Sequence, residues 1–143
     1  MKYACLVYPD ASKLAGLSET EQLAAILHEC EAAAAWNLEI VKGGHHVFTA
    51  QLQSVSTATT IRKSDRKLSV TDGPFAETKE FLGGLTIIEA RDLNEAVQLA
   101  AKLASALITV EVRPITDANA ELTDPLDQKI AAARRRRLGP QEN

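Results

Sequence analysis

The ionisable side chains of this sequence are densest over Val70–Glu80, V-T-D-G-P-F-A-E-T-K-E, with Phe81-Leu82-Gly83-Gly84 behind it. Asp72 and Glu77 are the candidate catalytic groups, because a carboxylate that loses water rises in pKa and can then take a proton near neutrality. Lys79 would pull such a pKa back down and could instead hold an anion. Tyr8, Glu111 and Arg113 join as candidate ligand-binding residues if their strand ends converge on the loop. A plainer use of the same residues is structural. Asp72 can cap the turn by accepting amide hydrogens, and Glu77 with Lys79 can form an ion pair that fixes the loop against Arg113.

The backbone around these groups is strongly punctuated. Asp72-Gly73-Pro74 cannot lie inside a regular element, since Gly73 opens backbone angles closed to other residues and Pro74 fixes its own. A strand through Leu68-Ser69-Val70 must therefore stop near Asp72. Phe75 is expected to fold inward as an anchor, and a short helical turn from Ala76 would carry Lys79 and Glu80 on one side. Other chemical signatures are missing. The glycine doublets Gly43-Gly44 and Gly83-Gly84 are isolated, no serine sits in a nucleophile elbow, and no histidine pair is spaced i, i+4 on a helix. Neither a cofactor nor a metal site is assigned.

The elements that position the loop follow from periodicity. Tyr3–Tyr8 is an apolar run closed by Pro9-Asp10 and reads as a central strand, with Tyr3, Cys5 and Val7 on one face and Ala4, Leu6 and Tyr8 on the other. Ser18-Glu19-Thr20-Glu21 is a capping box opening a helix to about Trp36, with Leu23, Ile26, Leu27, Cys30 and Ala34 as its buried stripe. A second strand is expected from Glu39–Lys42, broken by Gly43-Gly44 and resuming at Val47–Leu52. Ser56–Arg62 and Lys67–Thr71 form a hairpin around a polar Lys63–Arg66 turn, and it delivers Asp72 to the loop. Leu85–Ala90 is a strand. Asp92-Leu93-Asn94-Glu95 caps a helix to about Ala104, with Ala96, Val97, Ala100 and Leu103 inward. Ile108–Ile115 is the last core strand, with Ile108, Val110 and Val112 opposed to Thr109, Glu111 and Arg113. Residues 117–143 read as an appended tail after a domain of residues 1–116. In it Thr123-Asp124-Pro125 caps a short helix, Arg134–Arg137 suit its C-terminal dipole, and Gly139-Pro140 stops it.

His28 lies beside the stripe of the first long helix and reads as a surface residue. His45 and His46 are adjacent in a strand and point to opposite faces, so one of them can enter a pocket but the pair does not chelate readily. Cys5 and Cys30 read as reduced thiols.

Composition sets outer bounds. The chain has 143 residues, 45% hydrophobic and 24% charged, which suits one soluble domain with a tail. A formal net charge of −3 argues against nucleic acid as a general partner. Neither a membrane-length apolar run nor a signal-peptide pattern is present, so no membrane association is expected and a cytoplasmic location is the expectation.

The string T-D-G-P-F-A-E-T-K-E-x-L-G-G closely resembles the signature of the DGPF branch of the YCII-related family. Met1-Lys2-Tyr3 and Val110–Ile115 resemble that family's opening and closing strands. The resemblance implies an α+β domain with a ferredoxin-like βαββαβ core, an antiparallel sheet and an extra hairpin, paired sheet to sheet as a dimeric α+β barrel. The residues agree on one point. Only two long amphipathic helices are available, so one sheet face is left to be covered by a second copy, burying on the order of 2,000 Å². The family's biochemistry is mostly unassigned, and some members are linked to extracytoplasmic-function sigma factors. The expected function is thus a homodimeric module that binds a small molecule or a partner of a sigma-factor pathway. A cofactor-independent lyase, isomerase or hydrolase using Asp72 and its neighbours, and a purely structural role, are the alternatives.

Overall fold

The computed structural model describes residues 1–116 and 124–138. The order of elements is β1 (Lys2–Pro9), α1 (Glu19–Lys42), β2 (His46–Gln51), β3 (Thr59–Ser64), β4 (Lys67–Asp72), β5 (Gly84–Glu89), α2 (Leu93–Ala101), β6 (Ile108–Pro114) and α3 (Pro125–Leu138). Four strands form one sheet in the order β2-β5-β1-β6, and every neighbouring pair is antiparallel. With the β3–β4 hairpin set aside, this is the βαββαβ order of a ferredoxin-like α+β fold.

Local chemistry explains the helix starts. Ser18 accepts from the Glu21 amide at 3.3 Å while the Glu21 carboxylate accepts from the Ser18 amide at 2.8 Å, the reciprocal pair of a capping box. Asp92 caps α2 by accepting from the Glu95 amide at 2.9 Å. Asp124 does the same for α3, accepting from the Leu126 amide at 2.7 Å, with Pro125 in the first helical position. The Gly139-Pro140 stop and Thr123 lie outside the described residues.

Two expectations about the first long helix are corrected. It does not end near Trp36. It runs on through Glu39–Lys42, where a strand had been expected, and Gly43 forms its C-cap. The reason is packing: Trp36 and Ile40 sit one turn apart and are both buried, 5% and 1% exposed. Its buried stripe is also a different one. Ala25 and Ala33 are half-buried and lead to Trp36 and Ile40, whereas Leu23, Ile26 and Leu27 are 57%, 46% and 53% exposed. The helix carries two adjoining apolar stripes, and the sheet covers only the inner one.

The core lies between the sheet and these helices. Tyr3 and Cys5 of β1, Ile88 of β5, Trp36 and Ile40 of α1, and Ala96, Ala100 and Leu103 from α2 and just beyond it form one cluster. Trp36 anchors it by donating from Nε1 to the Leu99 carbonyl at 2.7 Å, which satisfies the buried indole. Val97, expected inward, is 47% exposed. Cys5 is fully buried, and desolvation pushes its thiol up to about 11. Register then assigns the other sheet face. Ala4 pairs with Ile87 and Arg113, Leu6 with Leu85 and Glu111, and Tyr8 with Thr109. That face carries no helix from the described core, and Phe48 on it is 50% exposed.

The hairpin stands apart. Asp65 and Arg66 at its tip have φ of 44° and 73°, the left-handed pair that a two-residue hairpin turn requires. All of Ile61–Asp72 is exposed, including Ile61, Leu68 and Val70.

Candidate functional site

The loop after β4 is built differently from its sequence expectation. Gly73 takes φ 95°, a conformation other residues rarely adopt, and its amide donates to the Ala58 carbonyl at 2.7 Å. Beyond Pro74 no helical turn forms. The chain runs through bends to Glu80, which pairs with Asp10 as an isolated antiparallel bridge. The Thr78 hydroxyl donates to the Glu80 carbonyl, which helps hold this extended course. Phe75 is not an anchor: it is 76% exposed, and the loop is held instead by polar contacts such as Arg62 to the Phe75 carbonyl.

The six candidate residues fall into three places. Asp72 and Glu77 are exposed, and among the described residues no hydrogen bond or ion pair joins either to Lys79, Glu111 or Arg113. Lys79 lies near Asp10, where its charge, after the Ser12 hydrogen bonds and Lys13, helps hold that carboxyl below its usual range. Tyr8, Glu111 and Arg113 do come together, on the open face of the sheet. The Tyr8 hydroxyl donates to Glu111 Oε2 at 3.2 Å, and Arg113 Nε lies 3.6 Å from Glu111 Oε1. Partial desolvation, then Glu111, pushes the Tyr8 phenol up. Glu80 belongs beside this row, since its Oε1 accepts from the Thr109 hydroxyl at 3.1 Å.

The glycine doublet that ends the loop has a packing role. A Cβ on Gly83 would lie 2.8 Å from the Pro9 ring, and one on Gly84 would lie 3.0 Å from the Ala50 carbonyl. Gly83 also accepts from the Leu52 amide and donates to the Val7 carbonyl, both at 2.9 Å. The doublet lets the loop return to the sheet at van der Waals distance between β1 and β2.

That return forms one wall of a cavity of about 520 Å³ between α1 and the helix-facing side of the sheet. Ile26, Cys30, Ala33 and Trp36 of α1 line it on one side, and Val7, Leu103 and Ile108 on others. Asp10, Glu29 and Gln51 line it too, and Asn37, Thr49 and Thr86 form a connected polar cluster that His46, outside the lining, joins from behind. The Thr49 and Thr86 hydroxyls are 3.2 Å apart, Thr49 donates to Asn37 Oδ1 at 3.4 Å, and His46 Nε2 lies 3.0 Å from Thr49 Oγ1. Thr86 is only 3% exposed, the buried polar residue of the core. A mostly apolar pocket with a few convergent polar groups is the usual form of a small-molecule site. Asn37, Thr49 and Thr86 carry no charge and no motif spacing; the sequence suggested that one of His45 and His46 enters a pocket, and neither lines this cavity, His46 only reaching Thr49 from the start of β2. His45 is used elsewhere, its Nδ1 bonded to the Glu89 carbonyl at 2.9 Å. His28 is exposed. Among the described residues no group of three His, Cys, Asp or Glu side chains could hold a metal ion, and no helix is long and apolar enough to cross a membrane.

An uncharacterized protein from Rhizobium meliloti (strain 1021) is 36% identical over 118 residues, spanning 80% of this chain and 92% of the relative. The model of the YCII-related domain matches residues 1–119. The chain belongs to the YCII-related family.

Proposed function

We propose that the protein is a dimeric small-ligand-binding module whose ligand occupies the cavity between α1 and the sheet. The observation that carries this reading is the connected Asn37–Thr49–Thr86 cluster in a mostly apolar pocket of about 520 Å³, whose lining also includes Asp10, Glu29 and Gln51. The chemistry selects a compact, largely apolar molecule with a hydrogen-bonding group at one end. The helix-free face of the sheet supports the two-fold pairing, because Leu6, Leu85, Ile87 and Phe48 would otherwise remain in water. The Thr71–Gly84 string supports membership of the DGPF branch, and through it a regulatory setting beside a sigma factor. Binding is preferred to catalysis because Asp72 and Glu77 are exposed in the single chain and lie outside the cavity lining.

A thermal-shift screen of small, mostly apolar compounds tests the reading, since a ligand that prefers the folded state raises Tm. Hits should lose their effect on Ala34→Phe, which narrows the cavity from the exposed side of α1. A screen without a hit, or hits that act equally on the filled variant, would overturn it.

A further inference from the structure

Two helices leave apolar stripes in water, and their charges are opposite. The outer stripe of α1 presents Leu23, Leu27, Leu38 and Val41 at 57%, 53%, 61% and 52% exposure, with Cys30 and Ala34 exposed between them. Steps of three and four residues keep these positions on one side of the helix. On α3, Leu126 and Ile130 are 64% and 42% exposed, and Ala133 continues their row. Of the α1 glutamates, Glu19 and Glu31 flank this stripe, whereas Glu21 caps Ser18, Glu29 lines the cavity and Glu39 pairs with Lys102. α3 carries Lys129 and Arg134–Arg137 against Asp127 alone. An isolated helix of this length is marginal in water, so α3 is stabilised by any surface that covers its stripe.

We propose that α3 of one protomer docks along the outer stripe of α1 in a second copy, leucines against leucines, with the arginines beside the α1 glutamates. The surface is not covered within one chain, because both stripes are exposed in it. Each protomer supplies both halves, so a two-fold pair makes the contact twice and closes. The proposal rests on the dimeric reading above: the second copy is the same sheet-face partner, and each α3 passes the sheet edge to that partner's helix side.

Cys30 sits in the α1 stripe, while Cys5 is buried, so the chain holds its own reporter. Leu126→Cys, Ile130→Cys and Ala133→Cys are made singly in the full chain and mildly oxidised. A disulfide needs Cα atoms within roughly 7 Å. At least one variant should give a covalent dimer on a non-reducing gel that disappears with Cys30→Ser. Arg134→Glu with Arg137→Glu should cut its yield several-fold, and adding Glu31→Arg should restore it. A disulfide within one chain, or no covalent dimer from any of the three, overturns the docking. Light scattering of the same samples separates the two readings: a dimer without cross-links overturns only the α3 contact, and a monomer overturns both.

Discussion

The loop Asp72–Glu80 and the wall formed by Asn37, Thr49 and Thr86 are opposites. The loop is rich in ionisable groups and stands in water, with Phe75 itself exposed. These three wall residues carry no charge, yet they line a cavity of about 520 Å³ between two layers, with Asp10 and Glu29 elsewhere in its lining. Charge density along a chain marks where the backbone meets solvent. A binding site needs faces to converge, and convergence depends on register and helix orientation. The signature segment still contributes, through Gly83 and Gly84, which bring the loop against the sheet, more than through its carboxylates.

Substitutions should separate the two regions. The largest effect is expected at Trp36→Ala, which removes the buried anchor of α1 and its bond to Leu99; a loss of about 3–5 kcal/mol in urea unfolding is expected. Gly83→Ala comes next. Its methyl would meet the Pro9 ring, and overpacking of this kind costs roughly 1–3 kcal/mol, read as a lower Tm. A normal Tm for this variant would break the account of the doublet.

Acid should act more gently, at Asp10, which lines the cavity and bridges to Glu80 at the end of the loop. The folded Asp10 carboxyl titrates below its unfolded value, so its stabilising contribution is present above the unfolded pKa and fades as pH falls through the folded one. Asp10→Asn should therefore flatten the fall in Tm below about pH 4 and leave its shape near neutrality unchanged. The smallest effects belong to Asp72→Asn and Phe75→Ala. Exposed positions of this kind usually stay within about 0.5 kcal/mol. A large loss at Phe75 would show that the loop is covered in solution by a surface absent from the single chain.

Much of the fold was legible because it rests on local rules. Ser18 with Glu21, Asp92 with Glu95, and the alternation of β1 and β6 state their structures directly. The α1 boundary was misread because Glu39–Lys42 is short and apolar-flanked, and only the burial of Ile40 against the sheet decides for helix. The stripe was misread because α1 is apolar on two adjoining sides, so periodicity alone could not say which one the sheet takes. Tyr8, Glu111 and Arg113 were legible as neighbours once β1 and β6 paired. The cavity was not, since threonines and an asparagine carry no signature until β2, β5 and α1 bring them together.

The most direct test compares the two regions in one assay. Compounds that stabilise the parent in thermal shift are titrated against Thr86→Val, which keeps the side-chain shape and removes the hydroxyl, and against Asp72→Asn combined with Lys79→Ala. The account predicts about tenfold or weaker binding to the Thr86 variant, the loss of roughly one hydrogen bond, and unchanged binding to the loop variant. Unchanged binding to Thr86→Val with loss in the loop variant would contradict it and return the site to the loop.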